Sequence, residues 1–582
     1  MVLILMLMPF LSSCKQALLF LMVLLLSSWL ASGLVGCAGN EVIYPTPILP
    51  ASVSTYTAPV VDGRPPTPAV TPQNTDNTAV SLPTALPPLA QPANNWRVGV
   101  SPAVPPDLQT YIRQVIQAHP GGFAWVGDGE ADVVIEPNGA RPFFTTIYAT
   151  AAPFATLTDA ISLVNLQAAW QIGSGDPLLV TADTAAALTA VWGTPNAAVQ
   201  IIPAAQLVDE VWGQRPSLTI LPFNQLQSEL KTLRLDGVSP LDRDFNPAGY
   251  PLAVSFGASG TETAVSDFIA AWNGPASNYA PEKFTRVALS GVTALVRATA
   301  YNMEQNGILW PADDVGPGPQ APAIAHVSNE VSFAPDCPYP NPIGGTTFCS
   351  RDSYFELLQH IGTDVVELTG NHLNDWGREN LLRTIEMYQA AGMKTYGGGK
   401  DGAAAAEPAL FEHNGNRIAF VGCNSFGPIY AWATAVEPGA RACDSAMAAQ
   451  IGQLAGEGYL VIVTLQYAED YQYAPSAQQA ADFQAWVDAG ATAVSGSQGH
   501  HAQGFGFYKG GFIHHGLGNL FFDQMDMLGT RQTFVDTYTI YDGRLLNVEL
   551  WTGLIENYAR PRLMTPEERA QALTAVFQAS GW

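Results

Sequence analysis

Charge of either sign is scarce in this chain, and basic charge is the scarcer. Only 13% of the 582 residues are charged, and 25 Lys and Arg stand against 50 Asp and Glu, for a formal net charge of −25. A surface so short of cations has little to offer a phosphate backbone or an anionic headgroup, which argues against electrostatic binding of nucleic acid. Cations, neutral glycans and polypeptides remain as partners, beside the plainer reading that the acidity serves solubility. Cysteine is sparse too, with six residues and no Cys-x-x-Cys pair, which speaks against a cysteine zinc site. After the first 37 residues no stretch approaches the apolar length needed to span a bilayer.

What is present begins with an export signal. Lys15 precedes an apolar run from Ala17 to Leu30, and small residues follow up to Cys37. Leu34-Val35-Gly36-Cys37 resembles a bacterial lipobox, which implies a lipoprotein signal peptide over 1–37 whose cleavage leaves the lipidated Cys37 as the first residue of the mature chain. A plain membrane anchor using the same helix is the alternative. Either way the body of the protein is expected outside the cytoplasm, held to the membrane. Residues 38–95 are Pro, Thr, Ala, Ser and Val with hardly a charge, a composition that suits a disordered, semi-rigid tether. In an oxidising compartment the four remaining cysteines suggest two disulfides. Local pairing, Cys337 with Cys349 and Cys423 with Cys443, is expected because each pair flanks an irregular stretch.

From Trp96 apolar strand candidates alternate with helical spacing, the pattern of a doubly wound α/β domain over 96–275. Strands are expected at 96–100, 131–136, 178–181, 199–202 and 218–223, the last leading into a helix ending near Leu230. The phrases Leu-Thr-Ile-Leu-Pro-Phe-Asn-Gln-Leu and Leu-Lys-Thr-Leu-Arg-Leu-Asp-Gly-Val-Ser-Pro-Leu resemble the second lobe of a periplasmic solute-binding protein. No ligand residue carries over from that resemblance.

A second α/β domain is read over 285–569, with 570–582 as a closing helix or tail. Its strands are expected at 286–289, 324–327, 365–368, 417–421, 459–465 and 492–494. Asn414-Gly415 and Asp542-Gly543 mark two hairpin turns. Polar clusters follow several strands: Ser328-Asn329-Glu330, Asn371-His372, Gln466-Tyr467, and Gly496 through His501. Carboxylate, amide oxygen and imidazole at successive strand ends are what a hard or borderline metal ion accepts. Taken singly, each of these residues also suits a capped turn.

Here the sequence resembles the CapA family, bacterial capsule and poly-γ-glutamate synthesis proteins on a calcineurin-like metallophosphoesterase fold. The residues that carry the resemblance are Ser328-Asn329-Glu330-Val331, Thr369-Gly370-Asn371-His372-Leu373-Asn374-Asp375-Trp376-Gly377, Asp488-Ala489-Gly490-Ala491, Gly496 to His501, Tyr508 to Gly511 and Gly516 to Asn519. The resemblance implies an αββα sandwich for 285–569. It implies Glu330, Asn371 and His500 as ligands of a divalent metal (Mn, Fe or Zn), with Gln466 and Gln498 at two further ligand positions. His372 would face the substrate as the catalytic residue, and the partner would be an extracellular polymer of polyglutamate or polysaccharide type.

The departures from the family pattern are chemical. Val292 stands where the first strand normally ends in a ligating Asp. Gln466 replaces a histidine, and Ser497 and Gln498 stand where histidines are usual. Two divalent ions bring about four positive charges, and the inherited set leaves Glu330 as its only carboxylate. Asp375, Glu469, Asp470 and His514-His515 are neighbours that could compensate. Metal-free, one-metal and two-metal sites all stay open at this point. With them stay a hydrolase or transferase acting on envelope polymer, a lapsed relative that binds polymer, and a sensor whose first domain captures a solute.

Overall fold

The computed structural model describes residues 95–127, 130–315 and 322–582. The expected signal peptide, the expected tether and Cys37 lie outside the described residues. The first sheet runs, edge to edge, Phe123–Gly127, Trp96–Val100, Val133–Pro137, Ala253–Gly260, Arg141–Pro153, Leu218–Pro222, Leu178–Val180 and Gln200–Ile201. Its pairings are mixed. The Trp96–Val100 strand is parallel to both its neighbours, while Arg141–Pro153 is antiparallel to Ala253–Gly260 and to Leu218–Pro222. A purely doubly wound, parallel sheet is therefore not what forms here.

Two local expectations fail for tertiary reasons. The helix expected to end near Leu230 is instead a short 3-10 turn, Phe223–Gln225, followed by the strand Leu230–Leu235. That strand pairs antiparallel with Thr150 to Pro153 and buries Leu230, Leu233 and Leu235, a gain no isolated helix at that position could match. The 13-residue strand Arg141–Pro153 was not anticipated. Its second half is rich in Ala and Thr without clear alternation, and it changes partners midway, from Ala253–Gly260 to Leu218–Pro222.

Two further sheets follow. One is ordered Lys394–Tyr396, Val365–Glu367, Ile324–Asn329, Phe284–Thr293, Gln532–Tyr541, Arg544–Glu556 and Arg560–Leu563, with Asn519–Phe521 added beside the end of Phe284–Thr293. The other is ordered Ala409–His413, Asn416–Asn424, Leu460–Gln466, Ala493–Ser497, Gly511–His514 and Phe505–Tyr508. Strand alternation sorts their side chains into layers. Val365, Ile418, Phe420 and Ile462 meet in a core between the sheets. Val366 and Val327 face the other way, onto Leu381, Ile385 and Tyr388 of the helix Arg378–Ala390. Val461 and Val463 face Met447 and Ile451 of the helix Ser445–Gly456 and Phe483 of the helix Ala477–Asp488. Helix, sheet, sheet, helix is the resulting stack. Both hairpins turn through left-handed residues at the Asn-Gly and Asp-Gly pairs.

The chain's last helix, Pro566–Ala579, opens with a full capping box between Thr565 and Glu568. Its Leu573, Val576 and Phe577 join the core between the sheets, so residues 570–582 are part of that core and not a tail. The pairs Cys337–Cys349 and Cys423–Cys443 are disulfide-bonded.

Candidate functional site

Parallel strands all point their C-terminal ends one way, and in open α/β sheets that end collects the site. Four strands do so here. Ile324–Asn329 delivers Glu330, Val365–Glu367 delivers Asn371 and His372, Leu460–Gln466 ends in Gln466, and Ala493–Ser497 delivers Gln498 and His500. Gly370 makes the approach close: a Cβ there would come within 2.5 Å of the Glu330 Cα. One residue further on, Val331 bridges in parallel to His372.

His372 is held from two sides. Its Nδ1 lies 2.6 Å from Asp375 Oδ2, and its ring packs on Phe348 with centroids 4.3 Å apart. Phe348 is placed there by the neighbouring Cys337–Cys349 disulfide, and its backbone N–H donates to the same Asp375 carboxylate. Burial works against protonating the imidazole. The Asp375 hydrogen bond and the negative fields of Glu330, Asp375 and Glu469 outweigh it, so the pKa is raised.

A carboxamide network occupies the middle of the site. Gln466 Nε2 donates to Asn371 Oδ1 at 3.1 Å and also to Gln498 Oε1, and Gln498 Nε2 reaches Glu469 at 3.4 Å. Which amide atom is oxygen follows from this network. His500 is oriented by Asn519: its Nδ1 lies 2.8 Å from Asn519 Oδ1, which turns Nε2 toward Glu469 at 3.8 Å. Gln498, His500 and Arg297 are all non-glycine residues in left-handed backbone, with φ of 73°, 50° and 46°. Such conformations persist only where the surroundings enforce them, and they gather at working sites. Arg297 is clamped on Asp523 through Nε at 3.1 Å and lies over the Phe348 and Phe522 rings.

The structure thus brings Glu330, Asn371, His372, Gln466, Gln498 and His500 to one place. Asp375 and Glu469 join them, and the His-x-x-Asp spacing could have assigned Asp375 its role. Asn519 and the Arg297–Asp523 clamp had no role in the sequence reading. For Asn519 the signal was its place in the Gly516 to Asn519 motif, which carried the family resemblance without assigning that residue a role. His514 and His515 do not join the site. His514 is fully buried between the sheets, 2.7 Å from Asp536, and His515 is bonded to the Gly504 carbonyl. Beneath the site a second buried network ties the sheets together. Tyr396 hydroxyl lies 2.9 Å from His326 Nε2 and 2.8 Å from Thr464, and Glu367 takes Thr369 and Ser497 hydroxyls.

The donor set does not fit a dinuclear metal centre. Glu330 is the only carboxylate among the expected ligand positions, and Asp375 is taken up by His372 and the Phe348 N–H; Val292 contributes a methyl pair at the first strand end, and Asn371 and Gln498 oxygens already accept from Gln466. Among the described residues no group of three His, Cys, Asp or Glu is disposed to hold an ion. Neutral amides are weak ligands for a divalent cation.

Residues 286–524 match the family described as bacterial capsule synthesis protein PGA_cap. The chain is similar to the capsule biosynthesis protein CapA of Bacillus anthracis, 30% identical over 180 residues, which cover 30% of this chain and 44% of that protein. It is also similar to a probable polyglutamine synthesis accessory protein of Mycobacterium tuberculosis, 28% identical over 189 residues, 30% of this chain and 50% of that one. The chain spans about half the length of the curated relatives it matches. Among solved structures it overlaps an ABC-type phosphate transport receptor from Vibrio cholerae, with 11% identity, a TM-score of 0.27, and 31% of this chain and 94% of that chain covered. A phosphate transporter substrate-binding protein from Clostridium perfringens overlaps at 10% identity and a TM-score of 0.25, covering 31% of this chain and 92% of that one.

Proposed function

We propose, from the premise that residues 286–524 are a CapA-family domain, that this protein is an accessory factor in assembling an extracellular polymer of capsule or polyglutamate type. It holds the polymer in the cleft at the sheet ends and does so without dinuclear metal hydrolysis. The observation that carries this reading is the carboxamide network. Gln466 binds Asn371 and Gln498 to each other in place of binding ions, and groups so paired suit hydrogen bonding to a polyol or polyamide better than holding two divalent charges. The relatives named for capsule biosynthesis and for polyglutamine synthesis support the polymer class.

The protein is anchored outside the cytoplasm through lipid on Cys37, with residues 38–95 as its tether. The solute-binding-like domain over 96–275 provides a second grip beside the αββα sandwich of the CapA-like half. Among the described residues no helix is long and apolar enough to cross a membrane; the support for the anchor is the lipobox-like Leu34-Val35-Gly36-Cys37. Radiolabelled palmitate fed to the producing cells should label the wild-type chain and not Cys37→Ala. No label on the wild-type chain, or equal label on both, would count against the lipid anchor.

The test of function is co-sedimentation of the purified full chain with polyglutamate and with capsular polysaccharide. Binding by wild type, weakened by Asn371→Ala, is expected; no binding to either polymer would sink the reading. A hydrolase reading draws on one observation, the short His372–Asp375 pair. It requires turnover of a generic phosphodiester that His372→Ala abolishes while metal content is unchanged.

A further inference from the structure

Glu330 is 1% exposed, and neither oxygen of its carboxylate has a hydrogen-bond partner among the described residues. A buried carboxylate without a partner is costly, and it is normally matched by a cation or by donors. Gln466 Oε1 is likewise buried and unpartnered, at the end of the Leu460–Gln466 strand. Asn371 Oδ1 accepts one bond, from Gln466, and keeps a second lone pair. The nearby cations are already engaged: Arg297 with Asp523, and the His372 Nδ1 with Asp375. Unmatched acceptors therefore gather here, with the Glu330 carboxylate buried among them and Glu469 at the edge.

The rim is aromatic. Phe348 and Phe522 lie against His372 and His500. Tyr430 and Tyr471, 53% and 38% exposed, reach Asp375 and Glu469 with their hydroxyls at 3.3 Å. Aromatic faces beside carboxylates favour a compact monocation.

We propose that this cleft recognises a primary ammonium group, its three N–H bonds going to Glu330, Asn371 Oδ1 and Gln466 Oε1. One positive charge with three donors matches one carboxylate with two amide oxygens. A divalent ion in the same place would have Glu330 as its single anionic ligand. The group would come from the amino end of a polypeptide polymer or from an amino sugar. The inference rests on the polymer-binding reading above and narrows it: the cleft reads a chain end or a substituent and not the repeating backbone. An acidic protein then has a defined means of holding a polymer that is itself acidic, by its one cationic group.

Calorimetric titration of the full chain separates the cases. The probes are triglutamate with a free amino end, its N-acetylated counterpart, glucosamine and N-acetylglucosamine. At least one free amine should bind about ten- to a hundredfold tighter than its acetylated form, the range expected for hydrogen bonds to a charged group. The amine that does so identifies the source. Glu330→Gln, nearly isosteric, should erase the preference while thermal melting shows the fold intact. Glu469→Gln should weaken it partially and serves if Glu330→Gln does not fold. Equal affinity for free and acetylated probes, or a preference that survives Glu330→Gln, overturns the proposal. So does stoichiometric divalent metal that Glu330→Gln removes. If polymer still co-sediments in those cases, only this inference falls. If neither polymer nor amine binds, the polymer-binding reading falls with it.

Discussion

At the scale of single residues, the site departs from the metal-binding pattern at four side chains. Val292, Gln466, Ser497 and Gln498 each put a neutral group where that pattern has a carboxylate or imidazole. Val292→Asp with Gln466→His, Ser497→His and Gln498→His should therefore create metal affinity: zinc or manganese content should rise from well below one ion per chain toward stoichiometric, by elemental analysis. No gain would mean that the backbone at the strand ends, and not the donor chemistry, limits binding. These substitutions were legible in the sequence because each sits inside a recognisable motif. What the sequence could not convey is that Gln466 uses its amide on both neighbours, because that depends on rotamers set by packing. Nor could it show that Glu330 has no partner among the described residues, since the nearby donors Arg297, His372 and Gln466 turn to Asp523, to Asp375 and to the amide oxygens of Asn371 and Gln498.

At the scale of elements, the strand ends are fixed by cross-ties outside the cleft. His515 packs on Phe483 with its Nδ1 on the Gly504 carbonyl, and burial holds its pKa down to about 4. A histidine depressed below its ordinary value contributes stability that is present above about pH 6.5 and is lost as pH falls toward 4. The span corresponds to about 3 kcal/mol. The urea midpoint should accordingly fall over that range in wild type, and fall less steeply in His515→Phe. Identical slopes would contradict the assignment. The Cys423–Cys443 bridge closes a loop of sequence separation 20 next to Asn424, whose side chain donates to the Thr369 carbonyl. Chain-entropy arguments give such a loop about 3 kcal/mol. Reduction, or the double change to alanine, should lower the melting temperature by several degrees. The helices and hairpins of this half were legible from periodicity and from Asn-Gly and Asp-Gly turns. The Arg141–Pro153 strand was not, because its Ala- and Thr-rich half becomes a strand only through its partners.

At the scale of the whole molecule, the change of sheet near residue 280 is visible in the sequence as a second round of strands and helices. It divides sheets and does not divide packing. Phe154, from the first sheet, packs edge-on against Phe505, Phe512 and Phe577, and Trp212 packs on Trp582. Tyr541 hydroxyl donates to the Asn278 carbonyl, Asn547 accepts from Thr232, and Asp159 pairs with both Lys231 and Arg569. Long-range aromatic contacts of this kind have no periodicity to betray them. Phe154→Ala should cost about 3–5 kcal/mol and shift one common calorimetric transition for both halves; a shift confined to one of two separate transitions would show that they unfold independently. The central claim is that the cleft holds polymer without a pair of metal ions, and elemental analysis of the full chain, purified after growth with manganese, iron and zinc, tests it most directly. The account predicts metal well below one ion per chain in protein that still co-sediments with polymer. Two ions per chain, lost together in Glu330→Gln, would contradict it.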